Sequence, residues 1–305
     1  MVKDMDLLLE KAATLTEALP WIKATWGKTV VIKYGGAAMT DPALRASVAD
    51  DIALMKFVGI NPVIVHGGGP AITDLMERLD MKVEFFDGLR VTDDAAMEVV
   101  KMVLVGKVNK EIVSSINAHG RLAVGVSGDD GNLIRARAVS ERLGRVGEVT
   151  AIDTTVLDNL IEDGFIPVVA TVGAGEDGGS FNINADLVAG EIAVALGAEK
   201  VIFLTDVDGL YDDFADKSSL ISALTLSQAE DLIASDRLNA GMIPKVGACA
   251  LALRAGVEQA HILNGTVPHS LLLEVYTDAG VGTMIVADPA EPSATAPAES
   301  TGDAE

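Results

Sequence analysis

The sequence predicts an α/β fold in which a mainly parallel sheet is covered by helices on both faces. Short runs rich in β-branched residues alternate with longer helical patterns along most of the chain. Those runs are apolar throughout, as strands buried on both faces are. Glycine clusters follow two of them directly, at the strand ends where open α/β sheets hold ligands.

Taken in order, residues 1–26 read as helical, with Met5, Leu8, Ala12, Leu15, Leu19 and Ile22 at alternating steps of three and four. So narrow a stripe suits packing on another helix. Pro20 divides it, ending a main helix near residue 18 and beginning a short second one. Lying ahead of the globular start, the stripe favours exchange between subunits over packing on its own domain. Strands are predicted at 29–33, 62–66, 122–127, 166–171, 200–205, 259–263 and 283–286. Helices are predicted at 42–58, 70–79, 93–118, 154–162, 185–196, 227–235, 240–255 and 269–277. Residues 121–151, with Arg135, Arg137, Arg142 and Arg145 among glycines, read as hairpins inserted near the middle. Residues 288–305 hold Pro, Ala, Ser and acids with no large apolar side chain, a composition that predicts disorder.

Composition narrows the partners. The 305 residues carry 23 Lys+Arg against 45 Asp+Glu, a net charge of −22. That balance argues against nucleic acid or an anionic membrane surface, and leaves room for a small anionic substrate in a local basic pocket. Mean hydropathy is +0.35, from Ala, Val and Leu spread along the chain. No stretch approaches the roughly 18 apolar residues of a membrane helix, so a soluble protein is expected. The single cysteine, Cys249, lies between alanines and reads as a core residue. It cannot form an internal disulfide, which fits a reducing cytoplasm. The four histidines show no zinc-ligand spacing.

The first strand runs into Tyr34-Gly35-Gly36, and the second into Gly67-Gly68-Gly69 followed by Pro70. A glycine-rich turn ahead of a helix lets bare backbone N–H groups surround an anion at the positive helix end. Either turn alone would suit a tight bend; two together point to anion handling. Lys33 closes an otherwise apolar strand, where an ammonium is costly unless it faces a ligand. Lys245 begins an Ala-rich helix. Taken singly, each lysine would also suit a surface residue whose stem is buried. Residues 173–178 satisfy GxGxxG but lead into Gly179-Ser180-Phe181-Asn182, not into a helix, so a dinucleotide site is not expected. Asp206, Asp208, Asp212 and Asp213 lack the spacing and closing glutamate of a calcium loop. His66 reads as a turn residue satisfied by backbone.

IKYGG at 32–36, VHGGGP at 65–70, GLRVTD at 88–93, FNINAD at 181–186, TDVDGL at 205–210 and GMIPKV at 241–246 occur in one order. Together they resemble the amino acid kinase family, and within it the branch whose acceptor is N-acetyl-L-glutamate. The resemblance runs over about residues 27–287. It implies a three-layer αβα sandwich, with an acyl-substrate and dimerisation lobe at 27–190 and an ATP lobe at 191–287. It also implies ATP carrying Mg2+, with no metal held by the protein itself, and an early step of arginine biosynthesis. Position by position, Lys33 and Lys245 match lysines that stabilise the transferring phosphoryl group, and Asp186 the aspartate that organises them. Gly68, Gly69, Arg90 and Asn182 match positions holding the acyl substrate. Gly35, Gly36, Thr205, Asp206 and Lys245 match the nucleotide side.

Elementary chemistry agrees with those roles. The acceptor is a carboxylate with a pKa of about 4, already ionised at neutral pH, so no general base is required. Catalysis then reduces to positioning and to neutralising repulsion between carboxylate and triphosphate. Arg90 offers a planar fork for a second carboxylate. Asn182 and Asn184 share one face of an extended segment; Asn184 would equally cap the helix beginning near residue 185.

The segment 1–26 and the stretch PHSLLLEVYTDAGVGTM resemble the arginine-inhibited branch, in which an N-terminal helix interlaces dimers into a hexamer. The family's usual TDEG is Thr277-Asp278-Ala279-Gly280 here, which removes a carboxylate that would pair with an arginine cation. The resemblance implies a homo-oligomer, a dimer or a hexamer, with L-arginine as feedback inhibitor and a PII-type signalling protein as partners, and the change at Ala279 bears on the arginine response. The competing readings are sibling enzymes such as glutamate 5-kinase or carbamate kinase, and a non-catalytic arginine-sensing module.

Overall fold

A computed structural model describes residues 5–213, 215–235, 238, 241–277 and 280–289. In chain order the first strands are β1 (Thr29–Tyr34), β2 (Asn61–His66), β3 (Phe85–Phe86), β4 (Leu89–Arg90) and β5 (Ala123–Ser127). Next come β6 (Ile134–Ala138), β7 (Val146–Ile152), β8 (Ile166–Ala170), β9 (Val172–Ala174) and β10 (Ser180–Ile183). The last are β11 (Lys200–Thr205), β12 (Leu210–Tyr211), β13 (Leu220–Ile221), β14 (Ala223–Thr225), β15 (Gln259–Asn264) and β16 (Thr283–Val286). Eight of them form one sheet in the order β14-β16-β15-β11-β1-β2-β8-β5. It is parallel except between β15 and β16. β1 therefore lies inside the sheet, and the carboxyl ends of β1, β2 and β11 open on one edge.

The helices are α1 (Met5–Glu17), α2 (Leu19–Thr25), α3 (Pro42–Phe57), α4 (Gly69–Arg78), α5 (Asp94–Lys101) and α6 (Asn109–Asn117). They continue as α7 (Thr155–Glu162), α8 (Ala185–Ala195), α9 (Leu226–Ala234), α10 (Ile243–Arg254) and α11 (Ser270–Tyr276). Side chains along β1 alternate between two cores. Val30, Ile32 and Tyr34 pack with Ile52 and Met55 of α3, Ile112 and Ile116 of α6 and Leu271 of α11. Val31, with Val201 and Phe203 of β11, packs on Val188 and Ile192 of α8 and Val246 and Leu253 of α10. Helices on both faces of a mainly parallel sheet make the αβα sandwich that the sequence predicts.

Local chemistry sets the helix ends. Asp41 accepts from the Ala43 and Leu44 N–H groups ahead of α3, with Pro42 opening the helix. Thr225 and Gln228 form a reciprocal capping box at α9. Pro20 falls in the first turn of α2, where the break was expected.

Four differences from the sequence reading have physical causes. The helix predicted at 93–118 is α5 and α6 joined by a π-helical segment, Met102–Val108. Residues 121–151 are split: β5 is an edge strand of the main sheet, whereas the β6–β7 hairpin closes with β9 and β10 into a small four-stranded barrel. Strands of three and four residues among glycines gave too little apolar periodicity to be read. β1 extends one residue past Lys33, to Tyr34. Asp288 accepts from the Ser227 N–H and hydroxyl, so the chain is still anchored where the disordered tail was predicted to begin. The rest of that tail, residues 290–305, lies outside the described residues.

α1 has no buried residue, and Met5, Leu8, Leu15 and Leu19 of the predicted stripe are 63%, 40%, 74% and 57% exposed. No helix among the described residues is long and apolar enough to cross a membrane.

Candidate active site

A cleft of about 460 Å3 opens at the carboxyl ends of β1 and β2. Lys33, Gly35 and Gly36 line one wall, Gly67, Gly68 and Gly69 another, and Asn184, Ala185 and Asp186 the floor. The start of α4 and the start of α8 both face it. Helix starts expose N–H groups without internal partners and carry partial positive charge, so the cleft favours an anion before any side chain is counted.

Asp186 stands at its centre. Asn184 accepts from the Asp186 and Leu187 N–H groups, which fixes the first turn of α8 and with it the Asp186 backbone. Lys33 Nζ lies 3.1 Å from Asp186 Oδ1, and Lys245 Nζ donates to Oδ2 at 2.9 Å. All three side chains are largely buried, at 8% exposure for Asp186, 12% for Lys33 and 14% for Lys245. Lys245 reaches across because α8 and α10 pack closely: a Cβ on Gly190 would fall 3.1 Å from the Ala248 carbonyl oxygen. Burial lowers the Lys33 ammonium, and the neighbouring Lys245 charge adds to that against the pull of Asp186. Burial would raise the Asp186 carboxyl, but the two ammonium groups outweigh it and hold the carboxyl below its ordinary range. An aspartate so held is a poor proton acceptor and a good clamp for two cations.

The two glycine turns are required for space. A Cβ on Gly35 would fall 2.4 Å from Lys33 Nζ, so the ammonium folds back over bare backbone. Gly36 adopts φ +70°, and a Cβ there would collide with Asp206 Oδ1, which accepts from the Ala37 N–H at 2.7 Å. Gly68 precedes α4, with Pro70 in the helix's first turn, and Gly69 has open space on its cleft side.

Arg90, on β4, is only 7% exposed. Its Nη2 donates to the Gly69 carbonyl at 3.0 Å and to Thr73 Oγ1 at 2.6 Å, and its guanidinium lies over the Phe85 ring at 4.8 Å. No carboxylate among the described residues pairs with it, and burial lowers it from its ordinary value. It is a buried cation behind the Gly69 turn, and among the described residues its positive charge is met by neutral groups alone. Asn182 Nδ2 donates to Thr92 Oγ1 at 3.4 Å, and that hydroxyl donates to the Arg90 carbonyl, tying Asn182 to the same strand.

The structure therefore gathers Lys33, Lys245, Asp186, Gly35, Gly36, Gly68 and Gly69 around one cleft; Arg90 reaches it through the Gly69 carbonyl, and Asn182, held by Thr92, does not line it. Thr205 and Asp206 lie at the end of β11, beside the end of β1. Asn184, expected on a ligand-facing strand or as a cap, caps α8. Asp208 is taken up by Asn264 and Tyr211. His66 ends β2 fully buried, its Nδ1 2.9 Å from the Gly67 carbonyl, as a backbone-satisfied residue should be. Residues 173–178 turn between β9 and β10, a hairpin and not a dinucleotide loop. Cys249 is fully buried, and burial pushes its thiol up. Asp278 and Ala279 lie outside the described residues.

Sequence reasoning missed Arg45, Lys107 and Glu111, which also line the cleft. Glu111 pairs with Arg45 at 3.3 Å and with Lys107 at 3.0 Å. The i,i+4 spacing of Lys107 and Glu111 was a signal, but nothing in it told a cleft wall from a solvated face.

Comparison with known proteins agrees with this geometry. Residues 28–264 match the amino acid kinase family model. The chain is 51% identical to the acetylglutamate kinase of Halothermothrix orenii, over 92% of this chain and 99% of that protein. It is 54% identical to the acetylglutamate kinase of Syntrophomonas wolfei, over 91% and 98%. Among solved structures, the N-acetylglutamate synthase of Neisseria gonorrhoeae complexed with coenzyme A and N-acetyl-glutamate superposes with a TM-score of 0.81 at 26% identity. The match covers 91% of this chain but only 64% of that longer one. A second structure of that synthase, with coenzyme A and L-arginine, gives a TM-score of 0.76, also at 26% identity, over 91% of this chain and 65% of that one.

Proposed function

The chain belongs to the amino acid kinase family, and from that premise we propose that it phosphorylates the side-chain carboxylate of N-acetyl-L-glutamate. A carboxylate oxygen attacks the terminal phosphorus of ATP, the bond from that phosphorus to the bridging oxygen breaks, and ADP leaves with N-acetyl-L-glutamyl 5-phosphate. The observation that carries the reading is Asp186 held between Lys33 and Lys245, at the head of two helix N-termini.

Each ammonium has three donors; Lys245 spends one on Asp186 Oδ2 and Lys33 lies 3.1 Å from Oδ1, which leaves others for phosphoryl oxygens. Positive charge fixed where negative charge develops is the main means of accelerating this reaction. No side chain is asked to take a proton from the acceptor, because the acceptor carries none at neutral pH. Asp186, held ionised below the ordinary carboxyl range by its neighbours, aims both lysines. The Gly35 and Gly36 turn borders the nucleotide phosphates, with Thr205 and Asp206 on the nucleotide side. Gly68 and Gly69 receive the acceptor's reacting carboxylate, and Arg90 with Asn182 takes its α-carboxylate.

Among the described residues no three His, Cys, Asp or Glu side chains are placed to hold a metal ion. Mg2+ fits this site as a companion of the nucleotide phosphates, where it would neutralise part of their charge. Residues 27–190 act as the acyl-substrate lobe and residues 191–287 as the nucleotide lobe. The uncovered stripe of α1 meets a second copy of the chain, building dimers into a hexamer. L-Arginine is a candidate inhibitor, supported by the ligand of the related synthase; Ala279 removes one carboxylate that would favour it.

A coupled ADP-release assay tests the assignment. N-Acetyl-L-glutamate is expected to be turned over far faster than glutamate or carbamate; equal or better turnover of either competitor would overturn the acceptor.

A further inference from the structure

A chain of buried side chains reaches the glycine turn from within the fold. Asn109 and His66 are both fully buried. Asn109 Nδ2 lies 2.8 Å from the Val168 carbonyl, 3.4 Å from the Val126 carbonyl and 3.1 Å from His66 Nε2. Carbonyl oxygens only accept, so this end of the amide is the NH2 group; the flipped amide would set an oxygen against two oxygens. Asn109 Oδ1 accepts from Lys110 Nζ at 3.1 Å. With a donor facing it, His66 Nε2 must be an acceptor, which puts the ring proton on Nδ1, 2.9 Å from the Gly67 carbonyl. Burial pushes His66 down to about 4, so the ring is neutral and has one proton to place.

Asn109 opens α6 directly after the π-helical segment Met102–Val108. Along α5, this segment and α6, buried positions advance four residues at a time, through Val100, Leu104, Val108, Ile112 and Ile116. At the α-helical step of about 3.6, the charged Lys107 and Glu111 would come round instead. The same segment supports the turn from below: a Cβ on Gly68 would fall 2.8 Å from Leu104 Cδ2 and 3.2 Å from Val108 Cγ2.

We propose that Asn109 and His66 are positioning residues for acceptor binding: Asn109 fixes the His66 tautomer, the Nδ1 proton holds the Gly67 carbonyl, and the Gly68 and Gly69 N–H groups are thereby aimed at the acceptor carboxylate. The inference rests on reading this cleft as the acceptor site.

Nitrogen NMR of the full chain labelled at histidine tests it, with the His66 signals assigned by their loss in His66→Asn. Wild type is expected to show a protonated Nδ1 and a bare Nε2, unchanged from about pH 6 to 9. Asn109→Asp puts an acceptor in place of the donor facing Nε2 and is expected to bring a proton onto that nitrogen. In kinetics, His66→Asn keeps an N–H close to the Nδ1 position and should hold the acceptor KM within about threefold. His66→Leu should raise it about tenfold, with the ATP KM little changed in either variant. A wild-type ring protonated on Nε2 overturns the assignment whatever the enzyme does with acetylglutamate. Variants that lose thermal stability while the acceptor KM stays put overturn the positioning role. A wild-type protein inert towards acetylglutamate would sink the proposed acceptor and leave the ring's tautomer as a separate reading.

Discussion

Lys33 and Lys245 meet the same carboxylate, yet they come from a central strand and from a distant helix start. Their charges act together on one group, so removing either should cost about 10²–10³ in kcat. Lys33→Ala and Lys245→Ala are expected to lose turnover by about that factor while the melting temperature holds, read by coupled assay and thermal unfolding. In the proposed acceptor site Arg90 would work on binding instead. Arg90→Lys keeps the charge but loses the planar fork, and should raise KM for the acyl acceptor much more than KM for ATP. Equal rises in both would remove Arg90 from the acceptor's side of the cleft.

At the scale of elements, α3 and α11 are joined through a buried carboxylate. Asp51 is 1% exposed, and its Oδ1 lies 2.6 Å from Nδ1 of His269, the residue ahead of α11. Burial raises the Asp51 carboxyl to about 6, against the opposing effect of His269. A carboxyl raised in the folded state gives stability that is fully present below its unfolded value and is lost as pH rises through about 6. Asp51→Asn stays neutral throughout, so its stability relative to wild type should improve between pH 4 and pH 8, by at most about 3 kcal/mol. Chemical unfolding at the two pH values measures this; a constant difference would mean that Asp51 is ionised at both. The pair could not be read from sequence, because residues 51 and 269 have no pattern connecting them. The sheet was legible for the opposite reason: β1, β2, β8 and β11 are short apolar runs with glycines at their ends, a local signal that survives without tertiary context. The cleft residues were legible where backbone chemistry demanded one residue type, as at Gly35, Gly36 and Gly68. Arg45 and the π turn were not, since a phase slip inside a helix shows only when the buried face is known.

For the whole molecule, the open question is what covers α1. Met5, Leu8 and Leu15 of its stripe and Leu19 at the start of α2 stand in solvent with Leu7 and Leu9 beside them, on a helix that has no buried residue. Deleting residues 1–26 should leave smaller particles in sedimentation, with the acceptor and ATP sites intact; an unchanged sedimentation coefficient would assign assembly to another surface. The same view bears on movement. β1 falls in the proposed acyl-substrate lobe and β11 in the proposed nucleotide lobe, yet they share a parallel ladder from Val30↔Lys200 to Lys33↔Phe203. No flexible linker separates the halves at that seam, so drawing them together around two substrates must twist the ladder itself. Any approach of the proposed lobes would then be borne by the hydrogen bonds of that one ladder, from Val30 to Lys33.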